Sequence, residues 1–291
     1  MAQQSNASFG DLGVLRERTN LRDSARESVI AFDRYLLGEE ILMSLFFDRI
    51  TSGPQTLPRR LLVYGIAGVG KSTFAAGAPA PIFIDCEQGL ANLDCDRFAP
   101  TNYEDVVEFL RELYSEKHDF KTVVVDSVDW LEQLIWDRVC EDNGKKRGEI
   151  ESFGYGRGYS LALKRWLELL SGLDALRKDR GLAVVFVAHA RIERFDAPDS
   201  ESYDRYSPRL QKLALPRLIE WCDEVFFATY EVFFRKTTEG RKERSIPMGS
   251  GSRALLTSGS PSHLAKNRLN APESIPLEWS AYEQLYKSEE D

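Results

Sequence analysis

LLVYGIAGVGKSTFAAG, residues 61–77, joins an apolar run to a glycine-spaced loop that ends in Lys71, Ser72 and Thr73. Gly65, Gly70, Lys71 and Ser72 fit the pattern G-x-x-x-x-G-K-[ST], set between an apolar strand and a helical stretch as the chemistry of that loop requires. At ordinary residue frequencies a chain of this length meets the pattern by accident about once in a hundred times, and the flanking strand and helix lower those odds. Glycines at 65, 68 and 70 let the backbone curl so that successive N–H groups, those of Val69 and Thr73 among them, face phosphate oxygens at the positive end of a helix. Lys71 is then placed for the β and γ phosphates of a nucleoside triphosphate, and the Ser72 hydroxyl for Mg2+. The bland alternative is a glycine-rich turn.

Bulk properties narrow the classes. With 291 residues, 43% hydrophobic and 29% charged, the chain has the composition of a globular protein with one large or two modest domains. No run approaches the roughly 18 apolar residues of a membrane span, and the opening MAQQSNASFGDLGVLRER lacks the apolar centre of a signal peptide, so a cytoplasmic protein with no membrane partner is expected. Cys86, Cys95, Cys140 and Cys222 are far apart, which favours buried free thiols over a zinc site. A net charge of -8 argues against indiscriminate attraction to nucleic acid but leaves room for one basic face.

Gly53, Pro54 and Pro58 punctuate a junction that divides an N-terminal helical segment, residues 1–55, from a second domain, 56–291. In the first, Val29, Ile30, Phe32, Leu36, Leu37, Ile41, Leu42, Leu45 and Phe46 recur at helical spacing, a stripe that packs on the chain's own core or docks on a neighbouring subunit. In the second, RLLVYG, APIFID, KTVVVDS and LAVVFVAH are nearly continuous apolar runs, as strands covered on both faces should be. Between them lie the helical patterns of residues 73–78, YEDVVEFLRELYSE, DWLEQLIWDRVCE and YSLALKRWLELLSGLDALRKD. The order βαβαβαβ predicts an α/β fold with a mostly parallel sheet and a ligand site at the C-terminal strand ends. Beyond Trp221, EVFFATYEVFFRK and SRALLTS predict antiparallel strands that extend the sheet.

Three strand ends carry further candidates. Asp126 closes TVVVD, where a carboxylate can hold the metal's water, although aspartate is also a common way for a buried strand to meet solvent. Glu87, in IDCEQGL, can polarise the water that attacks the γ-phosphate, with Asp85 competing for that role. His189 ends AVVFVAH, where a polar side chain can sense the γ-phosphate or simply cap a strand.

IFIDCEQGL, TVVVDSVDWL and VVFVAHARI resemble, in order and spacing, the catalytic-glutamate, Walker B and sensor segments of RecA-type recombinases, and HLAKNRLNAPE resembles the Lys-Asn-Arg motif of RadA. The overall likeness, over about residues 59–280, is to RecA-like P-loop ATPases of the phage-type nucleotide-binding family associated with single-strand annealing and recombination. The resemblance implies ATP and Mg2+ as ligands, a homo-oligomeric ring or filament with ATP between subunits, single-stranded DNA and a single-strand-binding protein as partners, and Lys266 and Arg268 reaching the γ-phosphate of the next subunit. His189 departs from the glutamine of RecA, which leaves the coupling to DNA open.

The DNA loops that the resemblance implies fall on NGKKRGEIESFGYGRGYS and RIERFDAPDSESYDRYSPRLQK. The first mixes Lys145, Lys146, Arg147 and Arg157 with Phe153, Tyr155 and Tyr159, a set suited to stacking on single strands. The second sets Arg205, Tyr206, Arg209 and Lys212 against Asp196, Asp199, Glu201 and Asp204 and is not plainly basic. Solvated loop surface explains either equally simply. A nucleotide-dependent switch, or an ATPase that loads a partner without touching DNA, is the main rival. A GTPase is disfavoured because no N/T-K-x-D segment follows the Walker B strand.

Overall fold

Strand β1 (Arg60–Gly65) is buried from Leu61 onward because it runs through the middle of the sheet, parallel to β5 (Ala183–Phe195) on one side and to β7 (Glu224–Glu239) on the other. The computed structural model describes residues 50–53, 57–196, 201–239 and 242–287, with the side chains of 232–250 left aside. The N-terminal helical segment and its apolar stripe lie outside the described residues, apart from 50–53.

β2 (Pro81–Asp85), β3 (Asp96–Phe98), β4 (Thr122–Asp126), β6 (Tyr203–Pro208), β8 (Lys242–Leu256) and β9 (Ser274–Pro276) complete the sheet. Its order is β3-β2-β4-β5-β1-β7-β8-β9, with β6 attached to β5 alone. All neighbours from β3 to β7 run parallel, and the sheet turns antiparallel at β8. This is the α/β arrangement, with a mostly parallel sheet, that the alternation of strand and helix predicts.

The helices are α1 (Lys71–Ala76), α2 (Tyr103–Ser115), α3 (Val128–Asp142), α4 (Arg157–Arg180), α5 (Ala214–Trp221) and α6 (Trp279–Lys287). Alternate strand residues feed two cores. Leu62, Tyr64, Ile84, Val123, Val125 and Phe186 pack with Val106, Leu131, Ile135, Trp166 and Leu173 of α2 to α4. Leu61, Val63, Phe83, Val124, Val185 and Phe226 face the other way, against Phe74 of α1 and Trp279 and Tyr282 of α6. Each such side chain contributes on the order of 1.5–3 kcal/mol on burial, which is why these strands hold nearly continuous apolar runs.

The antiparallel strands expected after Trp221 are present as β7 and β8. They join the sheet through β7, which runs parallel to β1 because α5 carries the chain back to the sheet's N-terminal edge before β7 begins. That helix has only eight residues and carries Pro216 in its first turn, where a proline ordinarily reads as a loop or a helix boundary. β5 also runs well past His189: its second half leaves the buried sheet and pairs antiparallel with β6 as a ribbon, where a loop was expected.

Gly65 pairs with His189 on one side and Ala228 on the other, and a Cβ built on it would meet the Ala228 carbonyl oxygen at 2.3 Å. The glycine is therefore required by the approach of β7 as well as by the loop. Gly65→Ala is expected to part β1 from β7 and cost about 1–3 kcal/mol or more, read as a lowered denaturant midpoint.

Candidate nucleotide-binding site

The loop from Gly65 to Lys71 turns through two left-handed positions, Gly68 at φ 75° and Gly70 at φ 107°. Other residues adopt that region at a cost, so the backbone here depends on glycine. Val69 is wholly buried, and its side chain belongs to the core under the loop. Lys71 is 6% exposed, and its Nζ donates to the carbonyls of Gly65 at 3.2 Å and Ile66 at 3.0 Å. Burial lowers the Lys71 pKa, opposed by the negative charges of Asp126, Asp129 and Glu87.

Asp126, at the end of β4, is 4% exposed. Burial raises its carboxyl to about 6 despite the Ser72 hydroxyl beside it and the Lys71 charge, with Glu87 pushing the same way as burial. Its Oδ2 has no hydrogen-bond partner. An orphaned buried carboxylate oxygen next to a serine hydroxyl fits a hydrated divalent cation. Among the described residues no group of three His, Cys, Asp or Glu side chains could hold a metal unaided, so an ion here would also need ligand oxygens.

Asp85 and Glu87 separate clearly. Asp85 accepts from the Gly89 N–H at 3.1 Å and the Leu90 N–H at 3.3 Å, so both oxygens shape its own loop. Glu87 is about one-third exposed, with the Ser127 hydroxyl at 3.5 Å and His189 Nε2 at 3.8 Å. Lys71, Ser72, Thr73, Asp85, Glu87, Asp126 and His189 all line one cavity of about 330 Å³, together with Gly68, Gly70 and Arg253. A larger groove of about 730 Å³ runs between α2 and α4, but it lacks the loop, and two of its carboxylates, Glu104 and Glu168, are paired with Arg138 and Arg165.

His189 is held from behind. Its Nδ1 lies 3.1 Å from Asp129 Oδ2, and its backbone N–H donates to Asp129 Oδ1 at 3.1 Å. Arg209 donates from Nε to the same Oδ2 at 3.0 Å, adds a second, Nη2 contact, and gives its own N–H to the His189 carbonyl at 2.8 Å. Burial alone would raise the Asp129 carboxyl, but the hydrogen bonds from His189 and Arg209 hold it well below the usual range. One turn along α3, Glu132 accepts the Gln211 N–H at 2.9 Å. Two carboxylates of one helix thus clasp the segment that follows β6.

Asp129, Arg209 and Arg253 were not legible as site residues. Asp129 stood in view within TVVVDSVDWL, three residues after Asp126 and so in the first turn of the following helix, where a carboxylate is favoured. Arg209 fell in a segment read as a DNA loop, and Arg253 in one read only as strand.

Lys266 and Arg268 are not brought to this cavity. Lys266 Nζ donates to the carbonyls of Ile219 at 2.8 Å, Glu220 at 3.2 Å and Cys222 at 2.6 Å, at the end of α5. Arg268 pairs at 3.1 Å with Asp223, which also binds Arg60 at 2.8 Å. Both stand at the N-terminal edge of β1 and β7, the edge opposite the phosphate loop.

A phosphate loop at the end of a central parallel strand, with carboxylates at the ends of neighbouring strands, defines a P-loop nucleotide-binding protein. The family model of the AAA domain matches residues 57–269, and the chain belongs to that family. Among solved structures, the crystal structure of the RadB recombinase is similar at 15% identity, covering 77% of this chain and 90% of that one with a TM-score of 0.42. No curated protein matches.

The Asp126 pKa has a consequence for stability. Below pH 4 the carboxyl is protonated in both folded and unfolded chains and costs nothing. Between pH 4 and about 6 the unfolded chain ionises first, so stability falls as pH rises, by on the order of 3 kcal/mol once both are ionised. Asp126→Asn should therefore melt above the wild type at pH 7.5 in EDTA and level with it at pH 3.5, as followed by circular dichroism.

Proposed function

We propose that the protein is a Mg2+-dependent ATPase of the phage-type, RecA-like kind that acts on single-stranded DNA in recombination or repair. The observation that carries the ATPase reading is the convergence of Lys71, Glu87, Asp126 and His189 on one cavity, from beyond the ends of β1 and β2, from the last residue of β4 and from the end of the buried half of β5. The loop amides and Lys71 hold the β and γ phosphates, which requires Lys71 to leave the carbonyls of Gly65 and Ile66 for stronger charge-assisted bonds. Ser72 and Asp126 would hold Mg2+, which neutralises charge on the phosphates. Glu87 accepts a proton from water as the new oxygen–phosphorus bond forms and the bond from the γ-phosphorus to the bridging oxygen breaks, releasing ADP. His189 lies beside Glu87 and reports the loss of the γ-phosphate to Asp129 and Arg209.

Support for a single strand comes from the surface between α3 and α4. Tyr155 is fully exposed, and beside it Lys145 lies 4.8 Å over the half-buried Phe153 ring, so one open ring and one cation stand near each other at the surface. A single-strand-binding protein is the companion such a substrate implies. In an oligomer, Arg268 is the better candidate for a cation acting on the neighbouring γ-phosphate, since half of its side chain is exposed whereas Lys266 is committed to three carbonyls. One observation favours the rival reading of a partner-loading ATPase without DNA contact: on the β5–β6 ribbon, Arg191 pairs with Glu193, Arg194 with Asp196, and Arg205 covers the Phe195 ring.

Lys71→Ala is expected to abolish ATP binding, whereas Glu87→Gln should bind ATP and lose turnover by about 10²-fold or more. Equal loss of binding in both would contradict these roles. Turnover measured with and without single-stranded DNA across protein concentration separates the two readings. Stimulation that steepens with concentration and falls with salt supports DNA action in an oligomer, and indifference to DNA supports the rival. Arg268→Ala turning over normally at every concentration would exclude the trans role.

A further inference from the structure

Arg253 lies in β8 directly across from Tyr230 of β7. The strand order β5-β1-β7-β8 puts it on the flank of the phosphate loop opposite His189. From there its guanidinium reaches back to line the same cavity as Lys71 and Asp126. It comes so near the loop that a Cβ on Gly70 would meet Arg253 Nη1 at 2.7 Å. Tyr230 supports both partners: its ring lies 5.8 Å from the Arg253 guanidinium carbon, and its hydroxyl donates to the Gly68 carbonyl at 3.3 Å. Among the described residues no carboxylate pairs with Arg253; the carboxylates that line the cavity, Asp85, Glu87 and Asp126, belong to strand ends on the other flank.

An exposed guanidinium beside a phosphate loop, with no carboxylate partner among the described residues, is arranged for an anion. Resting on the proposed ATPase site, we propose that Arg253 is a phosphate-binding residue acting within its own chain, on the non-reacting phosphates that ATP and ADP share. The side follows from the geometry. Glu87 and His189 mark where the γ-phosphate reacts, and Arg253 approaches from the opposite flank, so its fork of N–H donors meets the part of the chain that hydrolysis leaves behind. The Tyr230 ring limits the rotamers of the long side chain, so less freedom is lost when the anion arrives.

The test is calorimetric titration of the full chain with Mg·ATP and with Mg·ADP. Arg253→Ala should weaken both by the same factor, about tenfold or more, with Arg253→Lys between it and the wild type. Unchanged dissociation constants in Arg253→Ala overturn the assignment and leave an arginine that only packs on Tyr230. A loss for ATP alone overturns it too, because the contact would then lie at the γ-phosphate. Should the alanine variant not fold, Arg253→Met keeps the stem over Tyr230 and is judged by the same two criteria. A wild type that binds nucleotide while Arg253→Ala binds as well sinks this inference alone; a wild type that binds neither nucleotide sinks the ATPase reading with it.

Discussion

β1 is hydrogen-bonded along both edges and covered on both faces, and the site takes its geometry from that confinement. A strand so enclosed cannot shift its register without moving its apolar residues into the wrong core. Its C-terminal end is therefore a fixed point from which the loop departs. The close approach of the Ala228 carbonyl to Gly65 makes the same demand from the side: the first glycine of the loop belongs to the sheet before it belongs to the ligand.

Against that fixed frame the charged groups are held under strain of an electrostatic kind. Asp126 sits almost without solvent and with one oxygen unpaired, and Lys71 spends its donors on the carbonyls of its own loop. Neither is the arrangement that stability alone would select, since burial of charge costs more than these contacts return. A phosphate anion would give Lys71 a stronger partner, and a divalent cation held by Ser72 and Asp126 would meet the unpaired carboxylate oxygen. Such a site would be stabilised by its ligand, with the cost carried by the empty form.

Around the cavity, ordinary structural bonds connect the reacting end to more distant elements. Asp129 holds His189 and Arg209 together, and Glu132 holds the backbone at Gln211, so the segment after β6 and the His189 end of the cavity share one helix as their support. Lys266 and Arg268 stand apart from this group, at the other edge of the sheet, where they close the end of α5 and neutralise Asp223. Within one chain their role is to seat α5 and the start of β7.

The sequence by itself determined what is local. Apolar runs of the right length gave β1, β2, β4 and the first half of β5, the G-x-x-x-x-G-K-S spacing gave the loop, and strand-end position singled out Glu87, Asp126 and His189, because burial on both faces and backbone curvature both leave their mark in consecutive residues. What only the tertiary structure decided is what depends on residues far apart in the chain. The direction of β7 follows from α5, whose eight residues are few and include Pro216, so the segment does not announce itself as a helix. The ribbon of β5 and β6 depends on pairing across a turn. Asp129 meets Arg209, and Arg253 comes up to the loop at Gly70, across 80 and about 180 residues, and no periodicity encodes an approach that exists only once the sheet has brought separate elements together.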